Sequence, residues 1–261
     1  MRKKEFDDSE LAWKIYRIMY SDNLNKNFVI KCKNGRQYID EIYKVNDKAS
    51  DYKVELSGEI DFNFTNGFSY SRLGCYKNLL RNEEQIDSFE KLTYSIVNIS
   101  LISKLGNLQA VKQGIGNDRL DTFVWALSEY YRDNSNLILN HSTYPSLKYL
   151  KRYLSMFNSV DQYCENVYHI DQTLVGKLIE SGKLAIDTPE RMIEFLKLAI
   201  EFWEQRASFL SKKLPENDSE LRGEIKSVNT KLGEIRKVGG YASGPTLKMA
   251  GMMGVPTLIQ E

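Results

Sequence analysis

Residues 28–43 read FVIKCKNGRQYIDEIY and decide the fold of the first half of the chain. β-branched and aromatic residues lie on both sides of Asn34-Gly35. An Asn-Gly pair between two such segments is the strongest short-range signal for a hairpin turn, because both residues accept a positive φ. The stretch therefore predicts two antiparallel strands, over 28–32 and 36–43, joined by a tight turn.

Short apolar and aromatic segments continue on the C-terminal side of this hairpin. Residues 52–56 (YKVEL) and 59–64 (EIDFNF) have strand character, with Ser57-Gly58 as a turn between them. Residues 94–102 (YSIVNISLI) are a further strand candidate, and a loop over 103–118 with three glycines is expected after them. These segments together predict an antiparallel meander.

The rest of the chain carries the apolar spacing of helices. Helical stripes or start signals fall over 9–20 with Ser9 as cap, from Asp118 onward, after Pro145-Ser146, over 173–181, and from Thr188-Pro189 to about Leu210. We therefore expect an α+β fold in which an N-terminal antiparallel sheet packs with a C-terminal helical set. The predicted organisation is one domain over 1–210, an appended amphipathic helix over 211–238 and a tail over 239–261.

The appended helix has a narrow apolar seam with four-three spacing, formed by Leu221, Ile225, Val228, Leu232 and Ile235. We predict that the seam is buried against the domain body or a second copy, because exposure would forfeit ~1.5–3 kcal/mol per side chain. The tail has few charges and contains Met249, Met252 and Met253, and methionines adapt to irregular apolar grooves. We therefore expect a protein partner or self-association through residues 221–261. The tail would be ordered only by docking, with a disordered terminus as the alternative.

Composition and charge exclude several classes of protein. The 261 residues include 36 Lys plus Arg and 35 Asp plus Glu, so a globally basic nucleic-acid binder is excluded. Three scattered cysteines form no disulfide framework and suit a reducing compartment. No window approaches the ~20 apolar residues that a spanning helix needs. We expect a cytoplasmic protein with no membrane partner.

The first candidate site is a corner where glycines precede a predicted helix start. Backbone N–H groups at such a start can bind an anion, which a neighbouring arginine would reinforce. The alternative is structural: an aspartate caps the helix, another complements its dipole, and the glycines turn the chain. The residues of this corner are Gln113, Gly114, Gly116, Asp118, Arg119 and Asp121.

A second candidate involves the two histidines of the chain, His141 and His169. Cys164, His169 and Asp171 form a C-x4-H-x-D pattern, which lacks the four ligands of a structural zinc site. A Cys-His dyad is one interpretation, and a core thiol beside a core-edge imidazole is the other. No pattern in the sequence indicates a metal ion or a cofactor.

A third candidate is a basic segment with interleaved tyrosines. Lys148, Lys151 and Arg152 share a predicted helix with Tyr149 and Tyr153 and could contact a phosphate backbone. The alternative is the solvated face of an amphipathic helix. The sequence thus leaves nucleic-acid binding as a weakly supported possibility.

Two stretches resemble an uncharacterised bacterial family known only as a domain of unknown function. They are ELAWKIYRIMYSDNLNKNFVIKCKNGRQYID at 10–40 and SIVNISLISKLGNLQAVKQGIGNDRLDTFVWALSEYY at 95–131. The second resembles that family's strand, Gln-containing loop and Asp-Arg-x-Asp helix start, although Ser103-Lys104 stands where the family tends to carry a proline. The resemblance extends over about 10–210. It implies one domain there, brings no activity, and marks Gln113, Asp118, Arg119 and Asp121 as positions to test.

Two functions therefore remain. The first is a cytoplasmic bacterial interaction or ligand-binding protein; the kind of family resembled suggests a phage-defence or mobile-element setting. The alternative is an enzyme that acts on a nucleotide or nucleic acid through the Gly114–Asp121 corner. An enzyme should bring Arg119 and an acidic partner together in a concave pocket, and an interaction protein should expose an apolar patch.

Overall fold

A computed structural model describes residues 6–46, 48–63, 83–104, 108–116, 119–133, 136–141, 146–186 and 188–237. The fold is α+β, as expected. After a short 3-10 helix at Phe6–Asp8, the described elements are α1 (Glu10–Met19), β1 (Lys31–Lys33), β2 (Arg36–Val45), β3 (Lys48–Ile60), α2 (Glu83–Thr93), β4 (Ile99–Ser103), α3 (Leu108–Gly116), α4 (Leu120–Asp133), α5 (Asn136–Asn140), α6 (Ser146–Leu154), α7 (Val160–Val167), α8 (Gln172–Gly182), α9 (Pro189–Lys213) and α10 (Ser219–Lys237).

The predicted hairpin turn is confirmed, although its first strand covers Lys31–Lys33 instead of the predicted 28–32. The hairpin begins an antiparallel sheet in the order β1-β2-β3-β4. Asn34 and Gly35 have φ values of 54° and 76°, so both central residues of the turn lie in the left-handed region that a two-residue hairpin requires. Lys33 pairs with Arg36 directly across the turn. Local turn chemistry therefore sets the register of the first two strands.

The prediction of a turn at Ser57-Gly58 is wrong, because β3 runs through both residues. Ser57 pairs with Ile102 and Gly58 pairs with Leu101 on β4. A Cβ at Gly58 would lie 2.4 Å from the carbonyl oxygen of Asp7, so the glycine allows the backbone of the N-terminal segment to approach the strand. The glycine serves close packing within a strand, not a change of direction.

The strand predicted over 94–102 starts later, at Ile99. The Asn98 side chain binds the backbone oxygens of Phe62 and Thr93 at 2.7 and 2.8 Å, and its Oδ1 accepts from the Phe62 amide. These bonds hold the chain in a turn up to Asn98, and the regular β4 ladder begins immediately afterwards.

The loop predicted over 103–118 is also wrong for most of its length, because Leu108–Gly116 forms α3. Leu108 and Val111 are buried, and Ile115 packs against the core, so the segment has the spacing of one apolar helix face. Burial of this face on β4 and α4 outweighs the low helix propensity of two glycines near the helix end.

The helix starts predicted at Ser9 and Thr188 are confirmed. The Ser9 side chain accepts from the Ala12 amide at α1, and the Thr188 side chain accepts from the Arg191 amide at α9. Pro189 occupies the first turn of α9, where its missing N–H is not needed. The α9 helix extends to Lys213, slightly beyond the predicted end near Leu210.

The seam of α10 is buried within the chain itself. Its five aliphatic side chains are all 6% exposed or less, and α10 packs on α9 and α2. Of the two predicted alternatives, the structure shows burial against the domain body. The assignment of these residues as an interaction surface is therefore corrected, since Leu221, Ile225, Val228, Leu232 and Ile235 are not accessible to a partner.

A buried arginine ties α9 to the sheet. Arg206 is fully buried, donates to the carbonyl oxygens of Tyr168 (2.8 Å) and Ile99 and to Ser100 Oγ (3.2 Å), and lies 3.8 Å from Asp61 Oδ2. Burial raises the pKa of Asp61, and Arg206 opposes that rise. The guanidinium thus joins segments that are far apart in sequence.

None of the helices in the described part of the chain combines the length and the apolarity that a membrane-spanning helix requires.

Candidate functional site

Arg119 and Asp121 of the predicted corner form a buried ion pair. Arg119 Nε and Nη2 donate to the two carboxylate oxygens of Asp121 at 3.0 and 2.6 Å. Arg119 also donates to the backbone oxygens of Leu184 (2.9 Å) and Ser181 (3.4 Å), and Ser181 Oγ donates to Asp121 Oδ2 at 2.7 Å. Asp121 is therefore the acidic partner of Arg119.

This pair joins the start of α4 to the end of α8. Arg119 is 8% exposed, and its guanidinium lies 5.6 Å from the centre of the Phe195 ring. A Cβ at Gly182 would lie 2.2 Å from the Asp121 carbonyl oxygen, so the two helices meet at backbone contact distance. The guanidinium donors are directed at protein acceptors, which favours the structural interpretation of the corner.

The other described residues of the corner lie on α3, which ends before Arg119. Gly114 lies exposed on α3, where a Cβ would meet the His141 ring at 3.0 Å. Gln113 and Gly116 also lie on α3, so these glycines do not form the predicted loop before a helix. Asp118 lies outside the described residues, as do Met249, Met252 and Met253.

Cys164 and His169 do not form a dyad. Cys164 is fully buried, and burial raises the pKa of its thiol well above the ordinary value, which disfavours the nucleophilic thiolate. Among the described residues, no hydrogen bond joins the two side chains. Asp171 caps α8 by accepting from the Leu174 amide at 2.9 Å. The core-thiol interpretation therefore holds for Cys164.

Some residues of the basic segment on α6 are exposed, and others make contacts within the protein. Lys148, Tyr149 and Lys151 are exposed. Arg152 pairs with Asp51 at 2.7 Å and lies 3.6 Å from the Tyr52 ring centre, while Tyr153 is buried in the core. Two of the five residues in this candidate nucleic-acid surface therefore have structural contacts.

His169 lies in the wall of a cleft of about 580 Å³, which we call the His169 cleft. The cleft opens between the C-terminal ends of α1, β2, α7 and α9. Amide, charged and aromatic side chains line it, among them Asp22, Lys44, Glu165, His169, Phe209 and Lys213. The volume lies in the range of small-molecule sites in proteins. Sequence reasoning did not identify it as a site.

Asn23 fixes the base of the cleft. Its Nδ2 donates to the Lys44 carbonyl oxygen at 2.8 Å and to Asn166 Oδ1 at 2.9 Å, while its own carbonyl accepts from the Lys44 amide at 2.9 Å. One side chain thus joins the walls formed by α1, β2 and α7. Tyr43 and Tyr20 strengthen the α7 wall through hydrogen bonds to the Asn166 and Val167 carbonyls. These hydrogen bonds join the walls of the cleft to one another.

The His169 backbone and ring are both in unusual states. Its φ is 55°, a left-handed conformation that costs a non-glycine residue about 1–3 kcal/mol. The ring stacks on Phe209 with centroids 4.2 Å apart and an angle of 6°. Its Nε2 is buried and has no hydrogen-bond partner in the described part of the chain. Such combinations are characteristic of functional positions.

His169 is neutral at physiological pH. Burial, and secondarily the positive charges of Arg206 and Lys213, lowers the pKa of His169 to about 3. A hydrogen bond to the Glu165 backbone acts in the opposite direction and occupies the ring nitrogen other than Nε2. A neutral imidazole that donates through one nitrogen carries its lone pair on the other. Nε2 is therefore an unsatisfied acceptor.

The charges around the cleft are only partly compensated. Lys213 forms an ion pair with Asp22. Lys44 and Glu165 are exposed and make no ion pair with another described residue. Asp171 also lines the cleft and is in no ion pair with another described residue. The cleft therefore presents one cation and two carboxylates without an ion-pair partner among the described residues, together with the neutral His169 ring. No group of three or more His, Cys, Asp or Glu side chains among the described residues could hold a metal ion.

Comparison with known proteins gives similarity over a short segment only. No family model matches the chain, and no solved structure matches it. A segment of 24 residues is 96% identical to part of the UDP-N-acetylglucosamine--N-acetylmuramyl-(pentapeptide) pyrophosphoryl-undecaprenol N-acetylglucosamine transferases of Phocaeicola vulgatus and Bacteroides thetaiotaomicron. That segment covers 9% of this chain, which spans only 6% of the length of those enzymes. The similarity is too short to show a shared activity.

Proposed function

We propose that this chain is a cytoplasmic ligand-binding protein whose ligand occupies the His169 cleft. The supporting observation is His169 itself, which lies in the wall of a polar cleft and combines a left-handed backbone with a ring nitrogen that has no hydrogen-bond partner among the described residues. A buried acceptor without a partner costs about 1–3 kcal/mol. A ligand that brings Nε2 to the surface of the cleft and donates a hydrogen bond to it would recover part of that free energy.

Ligand binding fits this imidazole better than general-base catalysis. A general base works best when its pKa lies near the operating pH. With a pKa of about 3, His169 takes up a proton weakly at neutral pH but still accepts a hydrogen bond. The enzymatic alternative at the Gly114–Asp121 corner has less support, because the Arg119 donors are already bonded to Asp121, Ser181 and Leu184.

Ligand binding is also better supported than a protein-interaction role for the described surface. The exposed large apolar side chains of the described residues lie on five different segments: Val29, Ile42, Tyr94, Tyr149 and Leu184. They do not continue from the α10 seam, whose apolar residues are buried. A bacterial phage-defence or mobile-element setting, suggested by the family resemblance, remains part of the proposal.

Docking of the tail on a partner remains a separate proposal, and truncation at Val238 tests it. If the tail docks, the truncated chain should lose partner capture in a pull-down or change its oligomeric state. Unchanged behaviour in both measurements would end the docking hypothesis. The truncated chain keeps the buried seam of α10, so we expect it to fold, and a change in binding or oligomeric state would be due to the missing tail.

The ligand proposal is tested through the two histidines, which give separable imidazole resonances in a ¹H–¹³C NMR spectrum. A panel of amino acids, sugars, nucleotides and carboxylic acids is titrated into the full chain. We expect at least one compound to shift the His169 signals, and His169→Asn to weaken its binding. Asn is chosen because it tolerates a positive φ.

His141→Asn is the matched control, since His141 is exposed and does not line the cleft. It should leave binding of the same compound unchanged. If no compound in the panel moves the His169 resonances, or if binding survives His169→Asn unchanged, the proposal is refuted.

A further inference from the structure

One face of the sheet near the Asn34-Gly35 hairpin points away from the core. Ile39, Val54 and Leu56 are fully buried, so the side of the sheet that carries them packs inside the protein. Side chains alternate along a strand, and residues paired in register share a face, so the residues between these three point the other way. We call this side the open sheet face. Its charged residues on β1, β2 and β3 are Lys31, Lys33, Arg36, Asp40, Lys53 and Glu55.

The open sheet face is accessible beside the hairpin. At the far end of β3, α3 covers this side of the sheet, where Lys112 pairs with Glu59 at 3.5 Å. Nearer the hairpin, the Ile42 side chain is 44% exposed, and Lys53, which pairs with Ile42 in register, is exposed as well. A partner can therefore reach the part of the face that β1, β2 and the first half of β3 form.

The charges of the open sheet face do not cancel. Both of its carboxylates are in ion pairs, Asp40 with Lys31 at 2.8 Å and Glu55 with Lys104, the residue after β4, at 3.6 Å. Three cations have no ion-pair partner among the described residues: Lys33, Arg36 and Lys53. The face therefore has three positive charges in excess, although the net charge of the whole chain is only +1.

The positions of the unpaired cations favour an anionic partner. Lys33 lies directly opposite Arg36 across the hairpin turn, and like charges in that arrangement repel each other. On either side of Lys53 along β3, Asp51 is paired with Arg152 at 2.7 Å, and Glu55 is paired as described above. An anion bound beside Lys33 and Arg36 would replace their repulsion by attraction.

The spacing of these cations fits an extended polyanion. From Arg36 to Ile42, which pairs with Lys53, β2 advances about 20 Å, at roughly 3.3 Å per residue. Phosphates of one B-DNA strand are about 3.4 Å apart along the helix axis, so about six phosphates span that length. A small anion would contact only one end of the row.

We therefore propose that the open sheet face binds the phosphate backbone of a single-stranded nucleic acid. The bases of a single strand are free to contact the exposed Ile42 side chain, whereas those of a duplex are stacked in its interior. Lys104 lies 4.6 Å from the centre of the Tyr38 ring, so that face of the ring is not open to a base. Affinity should therefore depend on charge and salt, and little on base sequence.

The experiment follows the fluorescence anisotropy of a labelled oligothymidylate of about 20 nucleotides as the full chain is added, at several salt concentrations. With three phosphate contacts to a single strand, the logarithm of the association constant should fall against the logarithm of salt concentration with a slope of about −2. A duplex of the same length should bind more weakly, because its bases cannot reach Ile42.

A double variant, Lys33→Gln/Arg36→Gln, removes the two cations at the hairpin. Each phosphate contact contributes about fivefold to affinity at 0.1 M salt, so this variant should bind about 25-fold more weakly, with a salt slope smaller by about 1.4. The matched control is Lys148→Gln/Lys151→Gln on α6, which changes the net charge equally but lies outside the open sheet face. It should leave affinity and slope nearly unchanged. All four side chains are exposed, so both variants should keep the circular dichroism spectrum of the parent chain.

Several results would overturn the assignment. Oligothymidylate binding that survives Lys33→Gln/Arg36→Gln unchanged would place the site elsewhere, and an equal loss in the α6 control would reduce the effect to net charge. Tighter binding of the duplex would contradict the choice of a single strand. Tighter binding of polyglutamate than of oligothymidylate would identify an acidic protein segment as the partner instead. No binding at low salt would end the proposal.

Discussion

Replacing Arg119 with alanine tests whether the buried ion pair between α4 and α8 is structural. The substitution removes two hydrogen bonds to Asp121, at 3.0 and 2.6 Å, and two to backbone carbonyls. It leaves the carboxylate of Asp121 fully buried, with Ser181 Oγ and the Thr122 amide as its remaining donors. Breaking a buried pair from one side costs about 3–5 kcal/mol.

Because two donors to Asp121 survive, we expect Arg119→Ala to cost about 3 kcal/mol, the lower end of that range. For a chain of this size the midpoint of thermal unfolding should fall by about 6–12 °C. Urea unfolding followed by far-UV circular dichroism gives the free energy directly. The control is Arg191→Ala, which removes an exposed pair with Glu194 and should cost less than about 0.5 kcal/mol.

The same variant separates a structural corner from a functional one. A structural pair predicts lower stability with unchanged ligand binding per folded molecule. A stability change of under about 0.5 kcal/mol would refute the argument from buried charge. Normal stability together with lost binding would show that Arg119 belongs to a site.

Three further predictions concern packing and charge. Gly182→Ala should destabilise the chain by several kcal/mol, because the new Cβ would meet the backbone of Asp121. Gly176→Ala in the same helix has open space around the new Cβ and should stabilise the chain by roughly 0.5–1 kcal/mol. Urea unfolding measures the free energy of unfolding of both variants. Leu232→Ala should lower the free energy of unfolding by about 2–5 kcal/mol. The midpoint of its unfolding should not depend on protein concentration, since the seam is buried within one chain. A concentration-dependent midpoint would instead support burial of the seam against a second copy. Finally, the folded chain takes up a proton at His169 only near pH 3, whereas the unfolded chain does so near 6.5, so unfolding free energy should fall by about 2 kcal/mol between pH 6.5 and 5. His169→Asn should remove that loss, and an unchanged pH dependence in this variant would contradict it.

Much of the fold was predictable because it depends on local chemistry. Asn34-Gly35 specifies its turn through backbone conformation alone, and Ser9 and Thr188 begin helices through bonds to amides three residues away. Such signals need no knowledge of distant contacts. They therefore identify the hairpin and the helix starts correctly.

The wrong predictions involve residues whose role depends on distant partners. Gly58 resembles a turn residue in sequence, but its lack of a side chain accommodates the Asp7 backbone. The glycines at 114 and 116 likewise suggested a loop, whereas burial of Leu108 and Val111 determines a helix. In both cases tertiary packing overrides the local preference.

The His169 cleft could not be predicted because its parts are spread along the chain. Asn23, Lys44, Glu165 and Lys213 meet only after the helices pack on the sheet. The signal in the sequence was the C-x4-H-x-D pattern, which marked His169 as worth attention but led to Cys164 as its partner. The structure instead places Phe209 against the ring, 40 residues further along the chain.

The buried guanidinium of Arg206 has a consequence for how the native state opens. Its hydrogen bonds reach Ile99 and Ser100 on β4 and Tyr168 after α7, and it lies near Asp61 after β3. Local opening of any one of these segments would leave a buried charge with missing acceptors, which is costly. Their amide protons should therefore exchange with solvent together, as a single cooperative unit near the global unfolding free energy.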